Sequence, residues 1–149
     1  MTPFYDARRF DPRDGLGYLV ARARRALLEA LERELAPLGI TAPQAIVIFQ
    51  VATGEATHAA EFCRNMQYDP GAMTRLLDRM ERKGLVRRVR AAHDRRRSRL
   101  VLTPQGRRAL PRIRSVAVEV FNRFLAGFRR EEARQLIDFL KRLIANAEP

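Results

Sequence analysis

The sequence predicts a mainly α-helical chain carrying one small β-hairpin. Three observations point there. Apolar residues recur three and four apart over most of the length, the spacing of one face of a helix. The period falls to two on either side of a single arginine-rich stretch. Thr or Asp followed closely by Pro marks several starts, as an N-cap followed by a first-turn proline does. At 149 residues, 46% apolar and 31% charged, the chain is long enough for one domain with a true core, or for a domain plus helical arms.

The first helix is expected from about Asp14, on the series Leu16, Leu19, Val20, Ala23, Leu27, Leu31, Leu35, and it stops at Pro37-Leu38-Gly39. Thr41-Ala42-Pro43 opens a second. Its Ile46, Val47, Ile48, Phe49 and Val51 are apolar nearly all round, which predicts burial. A third helix starts at Thr57 or His58 and puts Ala59, Phe62, Cys63 and Met66 on one face, ending near Gln67-Tyr68. Asp69 then caps a fourth, with Pro70 in its first position. This helix turns Met73, Leu76, Leu77 and Met80 inward and Thr74, Arg75, Asp78, Arg79 and Arg82 outward, and Gly84 stops it. Two short helices joined by a three-to-four-residue turn, the second polar outside, make a helix-turn-helix.

Alternation follows in Leu85–Val89 and again in Arg99–Leu102, so two strands are expected, with 90–98 as an extended hairpin tip. Such a hairpin is a wing. Thr103-Pro104 starts a long helix bearing Leu110, Ile113, Ala117, Val120, Phe121, Phe124, Leu125 and Phe128. A last helix from about Glu131 carries Ala133, Leu136, Ile137, Leu140, Leu143 and Ile144. These stripes are too long for so small a domain to cover, and a second copy of the chain is their expected partner. Residues 1–40 and 104–149 are thus read as dimerisation regions around a DNA-binding lobe at 41–103, all in one integrated domain.

The net charge is +12, and all of it is local. Residues 75–114 hold 15 Lys or Arg against Asp78, Glu81 and Asp94, while the rest of the chain balances at 14 of each sign. Arginine supplies 27 of the 29 basic residues, which suits phosphate contacts and is equally what a GC-rich coding genome produces. Genome composition does not explain the clustering.

The run from Asp69 to Arg88, with Met73-Thr74-Arg75-Leu76-Leu77 at its centre and Glu81-Arg82-Lys83-Gly84-Leu85-Val86 at its end, resembles the recognition helix and first wing strand of the MarR family. Asp94-Arg95-Arg96, then Leu100-Val101-Leu102-Thr103-Pro104-Gln105-Gly106, are similar to that family's second wing strand and the start of its dimerisation helix. Glu61-Phe62-Cys63-Arg64 and Thr41-Ala42-Pro43-Gln44 match earlier elements. Cys63 and Met66 replace the usual small residue and leucine, and Arg97 extends the wing run, which bears on subfamily and ligand.

The resemblance implies a winged helix-turn-helix transcriptional regulator that binds double-stranded DNA as a homodimer at a pseudo-palindrome, as repressor or activator. Thr74, Arg75 and Arg79 then face the major groove. Asp94 pairs with Arg96 to brace the wing tip, freeing Arg95 or Arg97 for the minor groove, and Arg87, Arg88, Arg90 and Arg99 hold phosphates. The plainer reading of the same arginines is a solvated face or pairing with neighbours such as Asp78. By family analogy, a small aromatic carboxylate effector sits against Tyr18, Arg22, Phe49 and His58. As residues alone, Phe49 reads as core, Tyr18 and Arg22 as surface or interface, and His58 as a helix start.

The single cysteine and two scattered histidines predict neither disulfide nor metal site, and Cys63 reads as packing. No cofactor is expected. No paired carboxylates, Ser-His or Cys-His arrangement or phosphate-cradling glycine loop supports an enzyme. No apolar run nears the ~18 residues of a membrane span, and the N-terminus lacks a signal-peptide layout, so a cytoplasmic protein without membrane contact is expected. The rival reading is a non-specific nucleic-acid-binding or nucleoid-associated protein, for which net charge alone suffices.

Overall fold

The computed structural model describes residues 4–91 and 94–147, and the side chains of 91–97 lie outside that description. Six helices and one hairpin follow in the order α1 (Leu16–Leu35), α2 (Ala42–Thr53), α3 (Ala59–Met66), α4 (Pro70–Arg82), β1 (Val86–Ala91), β2 (Asp94–Leu102), α5 (Pro104–Phe124) and α6 (Arg130–Ala145).

Local chemistry sets the boundaries. A 3₁₀ turn, Ala36–Leu38, closes α1, and Gly39 leaves it with φ 66°. Thr41 accepts the Gln44 N–H while Gln44 returns a bond to the Thr41 N–H, a reciprocal cap that starts α2. Glu32 of α1 also takes the Ala42 N–H, tying the two helices where they meet at 87°. Asp69 caps α4 through the Ala72 N–H at 2.9 Å, and Gly84 ends it with φ 69°.

The core lies where α1, α2, α3, α4, the hairpin and the first half of α5 converge. Leu35, Val47, Ile48, Phe62, Met73, Met80, Ile113 and Val120 are fully enclosed. All four inward positions expected on α4 are buried. On α3, Phe62 and Met66 are buried and Cys63 is half-buried, but Ala59 is exposed, because the first turn of this helix projects past the core. Although α2 is apolar nearly all round, it buries Gln44 and Gln50 while Ile46, Phe49 and Val51 are only half-buried. Both glutamines are satisfied by neighbouring polar groups.

The hairpin is longer than its apolar pattern predicts. Its register runs from Val86↔Leu102 through Arg90↔Ser98 to Ala91↔Asp94, with an irregularity between Arg90 and Ala91. The ladder therefore reaches into the stretch expected as a tip, through Arg90↔Ser98 and Ala91↔Asp94. Backbone pairing needs no buried side chain, so alternation fades while the ladder continues.

Towards the chain's C-terminal end burial stops. Ile113, Ala117 and Val120 of α5 are buried, whereas Phe121, Phe124 and Phe128 are each more than 40% exposed. No residue of α6 is buried, and Leu136, Ile137, Phe139, Leu140 and Ile144 all face outward. Among the described residues, no single helix is long and apolar enough to cross a membrane.

Candidate nucleic-acid interface

Burial of Met73, Leu76, Leu77 and Met80 fixes which side of α4 faces out. Thr74, Arg75 and Arg79 lie there, all exposed. The Thr74 hydroxyl donates to the Pro70 carbonyl at 2.8 Å, so what it offers outward is a methyl group and acceptor lone pairs. Arg75 and Arg79 take part in no ion pair among the described residues.

The wing rises beside this helix. Arg87, Arg90 and Arg99 are exposed on its strands. Arg88 differs from the expectation of a phosphate contact: its guanidinium lies 2.7 Å from Asp78 and 2.5 Å from Glu81, both on α4. Hydrogen bonding to Asp78 raises its pKa further, so it is a fixed cation inside a trio of net charge −1. Arg88 is thus a brace between wing and recognition helix. The expected Asp94–Arg96 pair and the minor-groove candidates Arg95 and Arg97 lie outside the described side chains.

The other strand of the wing is stitched to the start of α3. The Leu100 N–H donates to the Thr57 carbonyl at 2.7 Å, and His58 Nδ1 lies 3.1 Å from the Ser98 carbonyl. Glu61 accepts from the Thr57 and His58 N–H groups, and those bonds hold its carboxyl below the usual glutamate value. These bonds tie both strands of the hairpin to the helix pair at Arg88, Ser98 and Leu100.

A model of the MarR family matches residues 38–97, the stretch from the end of the 3₁₀ turn to the wing. The transcriptional regulator SarZ of Staphylococcus haemolyticus is 30% identical over 101 residues, 68% of this chain and 67% of SarZ. The solved structure of transcriptional regulator PA3341 is 31% identical with a TM-score of 0.78, covering 90% of this chain and 98% of that one. The chain belongs to the MarR family.

It is a MarR-family winged-helix transcriptional regulator. The repressor Rv2887 of Mycobacterium tuberculosis, 28% identical over 128 residues (86% of this chain, 92% of Rv2887), is a further relative. Its structure in complex with salicylic acid gives a TM-score of 0.74, covering 87% of this chain and 96% of that one.

Within this MarR-family chain the four residues expected around an effector do not form one cluster. Arg22 stacks over the Tyr18 ring at 5.6 Å, and both are exposed on α1. Phe49 packs against the core, and His58 precedes α3 with its ring bonded to the wing. A crevice of about 340 Å³ between α1, α2 and the α3–α4 turn is lined by Arg24, Leu28, Ile46, Met66 and Tyr68 among others, and by none of the four. Tyr18 lines a separate hollow with Tyr5 and Phe10.

The trio of Asp78, Glu81 and Arg88 was missed as a unit. Its signal was present: acids three apart share a helix face, and the strand beyond Gly84 turns back along it. Lys83 was missed too. It donates to the Gly39 carbonyl at 2.6 Å and to Gln44 at 3.3 Å, joining the end of α4 to the α1–α2 junction.

Proposed function

We propose that the chain acts as a homodimeric repressor of a pseudo-palindromic operator, with α4 in the major groove and the arginine wing beside it in the minor groove. One observation carries this reading. The buried face of α4 is fully used by the core, while its outer face presents Thr74, Arg75 and Arg79 next to a basic hairpin. A helix of about 10–12 Å diameter fits the ~12 Å major groove.

The dimer reading draws on α6, a helix with five exposed large apolar side chains and no buried residue, and on exposed Phe121, Phe124 and Phe128. An apolar surface of that extent calls for a partner, and a second copy supplies a matching one. Two α4 helices then address half-sites about one DNA turn apart.

Relief by a small aromatic acid is the regulatory part of the proposal. The salicylic acid bound by Rv2887 supports it, as does the exposed Tyr18–Arg22 stack, which can face an anionic ring. Phe49 and His58 serve the core and the α3–wing connection instead.

Footprinting over the DNA upstream of its own reading frame, at moderate salt with and without salicylate, tests all of this. The expected result is a protected inverted repeat that weakens as salicylate is added. A uniform ladder with affinity tracking salt alone would establish the non-specific binder, and protection indifferent to salicylate would remove the effector.

A further inference from the structure

Where the recognition helix ends and the long dimerisation helix begins, the two share a single hydroxyl. Thr103 Oγ1 donates to the Gly84 carbonyl just past α4, with the Leu85 carbonyl at 3.2 Å, and accepts the Gly106 N–H at 3.0 Å as the N-cap of α5. The Thr103 N–H adds a bond to the Leu85 carbonyl at 3.1 Å, and Gln105 Nε2 reaches the Lys83 carbonyl at 3.3 Å. Gly106 is buried, and a Cβ there would collide with the Leu85 carbonyl oxygen. At Gly106 the α5 backbone meets the Leu85 carbonyl with no side chain between, and beside it the Thr103 hydroxyl bridges the two segments.

The contrast with Lys83 indicates which connection is stiff. Lys83 links α4 to the α1–α2 junction through a flexible four-carbon stem, which tolerates displacement at small cost. The Thr103–Gly106 joint has no such slack. It also acts at the end of a lever, since the exposed phenylalanines lie near the far end of α5, about 30 Å away for 21 residues. A 10° rotation at the joint therefore shifts α4 relative to the dimer face by roughly 5 Å, more than the ~3.4 Å rise of one base pair.

We infer that the Thr103–Gly106 joint sets the separation of the two recognition helices and is thereby the determinant of the half-site spacing this regulator accepts. The inference rests on the operator reading above. Thr103 and Gly106 act as positioning residues and touch no base.

The test is selection of wild-type sites from a random DNA pool, followed by affinity measurements on the selected half-site placed as inverted repeats with spacers varied one base pair at a time. Thr103→Val removes the shared hydroxyl, Thr103→Ser restores it, Gly106→Ala wedges the joint open, and Lys83→Met loosens only the flexible tie. Thr103→Val is expected to lose at least fivefold affinity at the wild-type optimum and to broaden or shift that optimum by a base pair or more. Its affinity for an isolated half-site and its dimerisation should stay within twofold. Thr103→Ser and Lys83→Met should keep the wild-type optimum. Should Gly106→Ala alone remain folded, a moved optimum in that variant gives the same support. An unchanged optimum with uniform loss at every spacer would overturn the inference and leave the operator reading intact. A wild-type protein with no spacing preference at all would overturn both.

Discussion

Arg88 Nη2 lies 2.7 Å from Asp78 Oδ1, fastening the first wing strand to the middle of the recognition helix. With Glu81 as second partner, the same guanidinium spans two successive turns of α4. The pair is partly exposed, so its stabilisation is modest, about 1 kcal/mol or less, and screened by salt. Its consequence is geometric: it ties the first wing strand to the exposed side of α4.

Arg88→Met should lower unfolding stability by no more than about 1 kcal/mol in urea titrations. The folded-state pKa of Arg88 is raised, so the contribution is present below its ordinary value and lost only as pH rises through the elevated one. Stability loss on mutation should accordingly be the same at pH 6 and pH 8. Operator affinity should fall more than stability does, because a loosened wing is entropically costlier to dock. Equal urea curves with equal gel-shift affinity would remove the bracing role.

Arg75→Ala removes an exposed cation that no acid pairs among the described residues. Loss of a base-reading arginine costs about 1–3 kcal/mol at the specific site, and footprint protection should vanish at concentrations where the wild type is saturated. Replacing Arg87 or Arg99 should instead weaken all sequences alike and reduce the salt slope by about one for each phosphate no longer neutralised. Gel shifts at several salt concentrations on specific and scrambled duplexes separate the two behaviours.

Glu61 holds the entry to α3 by accepting two backbone N–H groups, which lowers its folded-state pKa from 4.5. A depressed carboxyl contributes stability that is complete above its unfolded value and disappears as pH falls through the folded value. Glu61→Gln should therefore destabilise the protein at pH 7 and progressively less as pH falls below the ordinary glutamate value, with circular dichroism melts as the readout. A destabilisation that stays constant throughout the acid range would contradict the carboxylate's role.

Charging the uncovered stripe tests the dimer. Ile137→Glu with Leu140→Glu puts two anions at exposed positions of α6, a helix with no buried residue, so the monomer fold should persist. Sedimentation velocity should show a monomer at micromolar concentrations where the wild type is expected to be a dimer. Operator affinity should fall by at least tenfold, since two half-sites are no longer linked.

Much of the DNA-binding lobe was legible because its rules are local. Asp69-Pro70 started α4, Gly84 ended it, and Met73, Leu76, Leu77 and Met80 marked its buried side, all from spacing and capping chemistry. The wing was only half legible: Val86, Leu100 and Leu102 announced the strand bases, but beyond Arg90 the ladder has no apolar alternation to reveal it. The effector group was joined by analogy alone, and its Tyr18, Arg22, Phe49 and His58 lie on α1, α2 and the edge of α3, which spacing along the chain does not relate.

By itself the sequence determined the helix order, the inward face of the recognition helix and the concentration of positive charge in 75–114, because caps, periodicity and charge are properties of neighbours along the chain. Only the tertiary structure decided that Arg88 pairs with the acids of α4 while Arg75 is in no ion pair among the described residues, and that Gly106 must lack a side chain. Those outcomes depend on which atoms meet across separations of 10 residues for Arg88 and Asp78 and 21 for Gly106 and Leu85. Sequence spacing carries no information about such meetings until the core has brought the elements together.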